Sequence, residues 1–362
     1  MTNHTISARQ GQALFFTGLL GISMVRLPSL AAALGGTWGW VWLGVGALGW
    51  AVMAYLAGEG DGLFLIETAP GRVVLLLLAI KNAVLGAVWL RYFAETISQL
   101  LLPRTPLLLT EIVTLGVIAY GVFRGPACRG RTAEVLWGLM VVTLGLLCAF
   151  SASNVEVQKL IPSESFGGVW TAVLVFFSGF GLEDLLFLGT YTKEKRRGSG
   201  LFHTGAVLAA SMMALTALSL AIFGARTMAA RRYPVLQLMD TIDFPLLFLE
   251  RQDVWMTGIW IGSAILFLWG VAFWGSWQWR RGAHGKVQRP YAIFFLLLMG
   301  SGAAMMTSQA IIVKVLVALS AANGLCYALI GYCYWKTKRK GGSDETHDRS
   351  CSGDSVDADG LL

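Results

Sequence analysis

The chain has 362 residues, 56% hydrophobic and only 14% charged, with a net charge of +7 and a mean hydropathy of +0.63. A soluble domain is about 45–50% apolar and about 25% charged, so a large share of this chain meets lipid rather than water. The positive balance does not indicate nucleic acid, because Lys and Arg fall in short clusters between long apolar runs, as in cytoplasmic loops.

A helix needs about 20 apolar residues to cross the hydrocarbon core. In chain order, the runs 10–34, 37–57, 72–101, 106–124, 132–150, 170–192, 203–224, 253–277, 291–309 and 311–335 predict about ten transmembrane helices in an all-α membrane protein. Residues 1–9 are polar and the first apolar stretch leads into further spans, so no cleavable signal peptide is expected. With both termini cytoplasmic, seventeen Lys and Arg fall on inner segments and six on outer ones, which supports that orientation. The outer loop 225–252 contains an amphipathic stretch, 235–250, expected to lie on the membrane surface or to cover an outer vestibule. One permease-like domain is expected over 1–336, and the tail 337–362, Gly/Ser/Asp-rich after its basic start, is expected to be disordered.

No enzyme is expected: G-x-S-x-G, H-E-x-x-H and phosphate-binding Gly-rich loops are missing from the sequence. The five cysteines are scattered with no C-x-x-C pair, so no metal site is expected and no cofactor is called for. Coupling to a proton or sodium, held near Ser23 and Ser263, stays open.

Two spans look interrupted. The first carries Gly21-Ile22-Ser23-Met24 and then Arg26 and Pro28; a proline cannot donate a backbone hydrogen bond and crowds the preceding turn. The sixth carries Ser178-Gly179-Phe180-Gly181 directly before Glu183 and Asp184. Glycines in either span could instead serve close helix packing. Their pairing favours a site, because they open two five-helix halves, about 10–150 and 170–335, and interrupted helices at matching positions point to transporter-type binding. An odd number of helices per half makes the repeat inverted. Half-helix N-termini would take a carboxylate and freed carbonyls an ammonium, so a zwitterionic amino acid fits both. Candidate substrate-binding residues are Gly21, Ile22, Ser23, Met24, Ser178, Gly179, Phe180 and Gly181.

Charges inside a membrane are costly and point to function. Glu183 and Asp184 are read as site or gate, against caps of the second half-helix; Lys81 pairs with an acid of span six or binds substrate; Arg26 gates span one or snorkels, as Lys314 does. Arg91 and Glu95, four apart, should pair; Glu111 is interfacial or paired. Trp38, Trp40 and Trp42 read as interface anchors, while Trp260 and Trp269 could line a pocket.

Several segments together resemble a known family. Ile6-Ser7-x-x-Gln10, the run from Gly21 to Arg26-Leu27-Pro28, the Gly35 and Trp38–Trp40 turn, Phe177 to Glu183, and Phe248-Leu249-Glu250-Arg251-x-Asp253 leading to Trp260 resemble the spore germination permease family, the B subunits of germinant receptors. The likeness covers 6–336; this chain departs by placing Met24 and Arg26 where the family has small uncharged residues. The resemblance implies the LeuT-like fold of the amino acid–polyamine–organocation (APC) superfamily, a five-plus-five inverted repeat with helices 1 and 6 broken. It also implies a nutrient ligand, often an amino acid, an A subunit and a lipoprotein C subunit as partners, and the inner spore membrane as location. An ion-coupled amino acid transporter is the alternative.

Overall fold

The computed structural model describes residues 6–62, 65, 68–161, 168–190, 198–239, 252–285, 287–306 and 308–351. Among these the elements are α1 (Ala8–Gly35), α2 (Gly39–Glu59), α3 (Ala69–Leu100), α4 (Leu107–Arg124), α5 (Pro126–Ser151), α6 (Val169–Phe177), α7 (Gly198–Phe223), α8 (Ala225–Ala230), α9 (Pro234–Met239), α10 (Gln252–Gly282), α11 (Gln288–Met305) and α12 (Gln309–Cys351), with short 3-10 segments between some of them. Eight stretches are long and apolar enough to cross a membrane. The first of these, Ala8–Glu59, holds both α1 and α2, separated by a 3-10 turn over Gly36–Trp38. The ten expected spans are reached only if these two count separately and α11, whose start at Gln288-Arg289 lowers its hydropathy, counts as well.

Local chemistry sets the helix ends. Ser7 caps α1 by accepting from the Gln10 N–H at 3.2 Å, while the Gln10 side chain accepts from the Ser7 N–H at 3.2 Å. The Ile6-Ser7-x-x-Gln10 motif is therefore a capping box, with Ile6 buried in front of it. Between α4 and α5 the chain turns on Gly125, at φ +84°, followed by Pro126 in the first turn of α5.

The helices form two groups that share a boundary. α1, α2, α6 and α7 make a bundle, with α2 lying along α7 and α6. α3, α4, α10 and α11 make a scaffold, with α10 lying along α3 and α11 touching α3, α4 and α10. Each half of the chain sends its first two long helices to the bundle and the next two to the scaffold, the pattern expected of the inverted repeat. α1 runs through the middle, touching α5 and α10 on one side and α2, α6 and α7 on the other. Outward faces carry apolar rows such as Leu108, Ile112, Val113 and Val117 on α4, as lipid requires.

Three expectations are corrected. α1 is continuous from Ala8 to Gly35, so span one is not broken across Gly21 to Pro28. Pro28 removes one N–H from the ladder, leaving the Met24 carbonyl without its usual donor, and that single loss does not end a helix enclosed by neighbours. Second, α5 starts at Pro126 rather than 132, so Arg129 and Arg131 sit on a helix instead of in a loop. Third, α12 continues to Cys351, into the tail expected to be disordered; extending an existing helix carries no nucleation cost. Residues 352–362, and 240–250 of the amphipathic outer stretch, lie outside the described residues; within that stretch, 235–239 belongs to the short helix α9.

Candidate functional site at the break of span six

Span six is broken. α6 ends at Phe177, and after Ser178–Gly181 the chain resumes as a 3-10 helix over Leu182–Thr190. Gly181 sits at φ +85°, which side-chain-bearing residues rarely adopt.

A broken helix in a membrane must satisfy its freed carbonyls internally. Here side chains of α2 and α12 do so. Trp50 Nε1 donates to the carbonyls of Val175 and Phe176, both at 2.9 Å. Tyr327 Oη donates to Phe176 O at 2.7 Å and lies 3.2 Å from Gly179 O; Asn323 Nδ2 donates to Phe177 O at 2.9 Å.

Beyond the break, two adjacent acids are held apart. Glu183, wholly buried, pairs through Oε1 with Lys81 Nζ of α3. Asp184 Oδ1 accepts from Gln278 Nε2 at 3.0 Å and Asn82 Nδ2 at 3.4 Å, and Asn82 also donates to Gln278 Oε1 at 3.1 Å. Glu183 Oε2 and Asn82 Oδ1 have no hydrogen-bond partner among the described residues. Lys81 and Asn82 belong to the scaffold and the acids to the bundle, so the cluster ties the two groups across their boundary. Arg129 of α5 shares a small hollow of about 60 Å³ with Asp184 and Gly181, and its Nε donates to Leu266 O at 3.3 Å.

On the other side of the break lies a larger cavity, about 550 Å³, between α1, α6 and α12. Ile22, Ser23 and Arg26 line it from α1, Phe177, Ser178 and Phe180 from the break, and Ser320 from α12. That volume falls within the range of about 300–1,000 Å³ usual for ligand sites.

The expected site residues therefore separate. Ile22, Ser23, Ser178 and Phe180 meet at the cavity together with Arg26. Gly21 and Met24 lie on the opposite face of α1, beside a hollow of about 40 Å³. There Gly21 allows close approach of α10: a Cβ would stand 1.8 Å from Ser263 Oγ, and Trp260 Nε1 donates to Gly21 O at 2.6 Å. Trp260 thus braces α1 and is not among the cavity's lining residues, and neither is Trp269, which packs on Gly121. Gly179 lies against Trp50 and Tyr327, and Gly181 faces the small hollow beside Arg129. Sequence reasoning missed Trp50, Asn323, Tyr327 and Gln278, and took Arg129 for a loop charge. Asn323 had a signal, as a single amide inside an apolar run, whereas Gln278 falls just past the end of the expected span 253–277.

Toward the C-terminal end of α3, Arg91 pairs with Glu95 at 2.9 Å and with Glu111 at 3.0 Å, and Arg232 reaches Glu95 at 2.8 Å. This chain of ions fastens the α8–α9 loop to α3 and α4. Burial pushes the neighbouring Tyr233 phenol up to about 12, so it remains a neutral donor at physiological pH.

Gly181→Ala is expected to cost about 1–2 kcal/mol through backbone strain alone, since the added Cβ would meet nothing closer than 3.8 Å. Thermal unfolding in detergent checks this against Gly116→Ala, where a Cβ meets nothing within 4 Å. Equal stability of the two variants would contradict the left-handed turn at the break.

A bundle and a scaffold repeated in two halves, with a broken helix at their boundary, is the architecture of LeuT-type transporters. The chain is similar to the nucleobase–cation-symport-1 family transporter MHP1, with a TM-score of 0.55 over 91% of this chain and 78% of that one at 10% identity. It is likewise similar to MhsT, solved in complex with L-phenylalanine, with a TM-score of 0.56 over 90% and 87% of the two chains at 14% identity. Residues 66–311 match the spore permease family, described as spore germination protein, and the chain belongs to that family. It is 22% identical to spore germination protein B2 of Bacillus subtilis (strain 168) over 278 residues, covering 72% of this chain and 74% of that protein. It is 24% identical to the putative spore germination protein YfkT of the same organism over 227 residues, covering 58% of this chain and 61% of that protein.

Proposed function

We propose that this chain is the B subunit of a spore germinant receptor, and that it binds a small nutrient, an amino acid first among candidates, in the cavity beside the broken span. The observation that carries this reading is a ligand-sized cavity walled by α1, the break and α12. Bound ligand would bias the bundle against the scaffold, by no more than its difference in affinity for the two arrangements. The signal would pass to an A subunit and a lipoprotein C subunit in the inner spore membrane, with both termini of this chain cytoplasmic.

The test is ligand-dependent thermal stabilisation of the purified protein with a panel of amino acids. Ala321→Phe is the control, because Ala321 lines the cavity and the larger side chain would fill it. A shift with one amino acid, lost in Ala321→Phe, is the expected result. Equal shifts in both proteins would remove the ligand from this cavity.

The transporter-type fold supports a second reading, an ion-coupled amino acid transporter. Substrate uptake into vesicles holding this protein alone favours it; a response that requires partner subunits favours the receptor.

A further inference from the structure

The cavity is unequal in charge. Among the described residues its lining holds one ionised side chain, Arg26, with the hydroxyls of Ser23, Ser178 and Ser320, and no Asp or Glu. A second hollow, about 590 Å³, shares Arg26 and Val313 with the first and adds Arg232 and Lys314. Arg232 is engaged by Glu95, whereas Arg26, half-buried, and Lys314 form no ion pair among the described residues. A half-buried guanidinium without a counter-charge is a place for an anion.

The same residues leave an ammonium without a partner. Expectation from sequence gave that role to carbonyls freed at the breaks. α1 is unbroken, and the carbonyls at the end of α6 are occupied by Trp50, Asn323 and Tyr327. Both nearby acids turn away, Glu183 to Lys81 and Asp184 to Gln278 and Asn82. Among the lining side chains, what remains for a ligand amine is neutral hydroxyl, while the rest of the wall is apolar, with Leu27, Trp89, Phe177 and Leu316.

We infer that this cavity recognises a carboxylate on an apolar body, with the carboxylate set against Arg26 and with no element that reads an amino group. The inference rests on the nutrient-site reading and narrows its ligand class: the α-amino group of an amino acid is tolerated rather than required.

The experiment measures binding to the purified full chain in phosphatidylcholine nanodiscs, using matched probes. These are L-leucine, 4-methylpentanoate and 3-methylbutylamine, then L-phenylalanine, 3-phenylpropionate and 2-phenylethylamine. The expected result is that in at least one series the deaminated acid binds as tightly as the amino acid and the amine does not bind. Arg26→Gln should weaken the acid about tenfold or more, and Arg26→Lys should recover part of the loss. An amino acid that binds at least about tenfold tighter than its deaminated acid, or an amine that binds, overturns the inference while keeping the site. No binding by any probe or by any amino acid of the panel overturns both. A repeat in phosphatidylglycerol nanodiscs separates the sources of the anion: acid binding abolished there would assign Arg26 to a lipid headgroup and overturn the soluble ligand.

Discussion

Lys81→Met is expected to destabilise the protein by about 3–5 kcal/mol, the cost of leaving one partner of a buried pair uncompensated. Glu183 is fully buried, its Oε1 bonds Lys81, and its Oε2 has no hydrogen-bond partner among the described residues, so no second bonded donor there replaces the lost cation. Methionine keeps most of the side-chain volume, which separates charge from packing. The double variant Lys81→Met with Glu183→Gln is expected to recover most of the loss, because two neutral side chains need no mutual compensation. Denaturation midpoints of the parent, Lys81→Met, Glu183→Gln and the double variant in one detergent give the coupling directly. A single variant within about 0.5 kcal/mol of the parent, with no recovery in the double, would show that the pair carries no buried charge. The double also removes an ionic tie between scaffold and bundle. It should therefore alter the ligand concentration needed for a response even where stability is restored.

The break of span six was legible because Gly179, Gly181 and two acids together interrupt an apolar run. The apparent break of span one was not what its residues build. Gly21 and Pro28 give the same sequence signal whether a helix unwinds or only approaches a neighbour closely. The difference lies in Ser263 and Trp260, more than 230 positions away, which make Gly21 a contact surface with α10. Range decided the ion pairs as well. Arg91 with Glu95 follows from helical spacing, whereas Glu111 and Arg232 join them only through the packing of α4 and the α8–α9 loop. Lys81 was expected to bind substrate or to pair with an acid of span six, without a choice between Glu183 and Asp184. That choice is made by Asn82 and Gln278, which hold Asp184 aside.

The second large effect concerns the carbonyls at the end of α6. Phe176 O accepts from both Trp50 Nε1 at 2.9 Å and Tyr327 Oη at 2.7 Å. Tyr327→Phe or Trp50→Phe alone leaves it one of these side-chain donors, and each should cost about 1 kcal/mol for the lost bond, with a further packing loss at Trp50. With both replaced, Phe176 O keeps only the long bond from the Gly179 N–H at 3.4 Å, and the contact of Tyr327 with Gly179 O is gone as well. A buried carbonyl left with one long bond loses part of the about 1–3 kcal/mol that an unsatisfied one costs, so the double variant should lose more than the sum of the singles. Asn323→Leu, which strips the side-chain donor from Phe177 O, supplies the reference cost for one uncapped carbonyl at the same depth. Thermal unfolding of the four variants measures the difference. Costs that add to within about 0.5 kcal/mol would mean that the two caps do not share a carbonyl, and that the end of α6 is held by something other than these side chains.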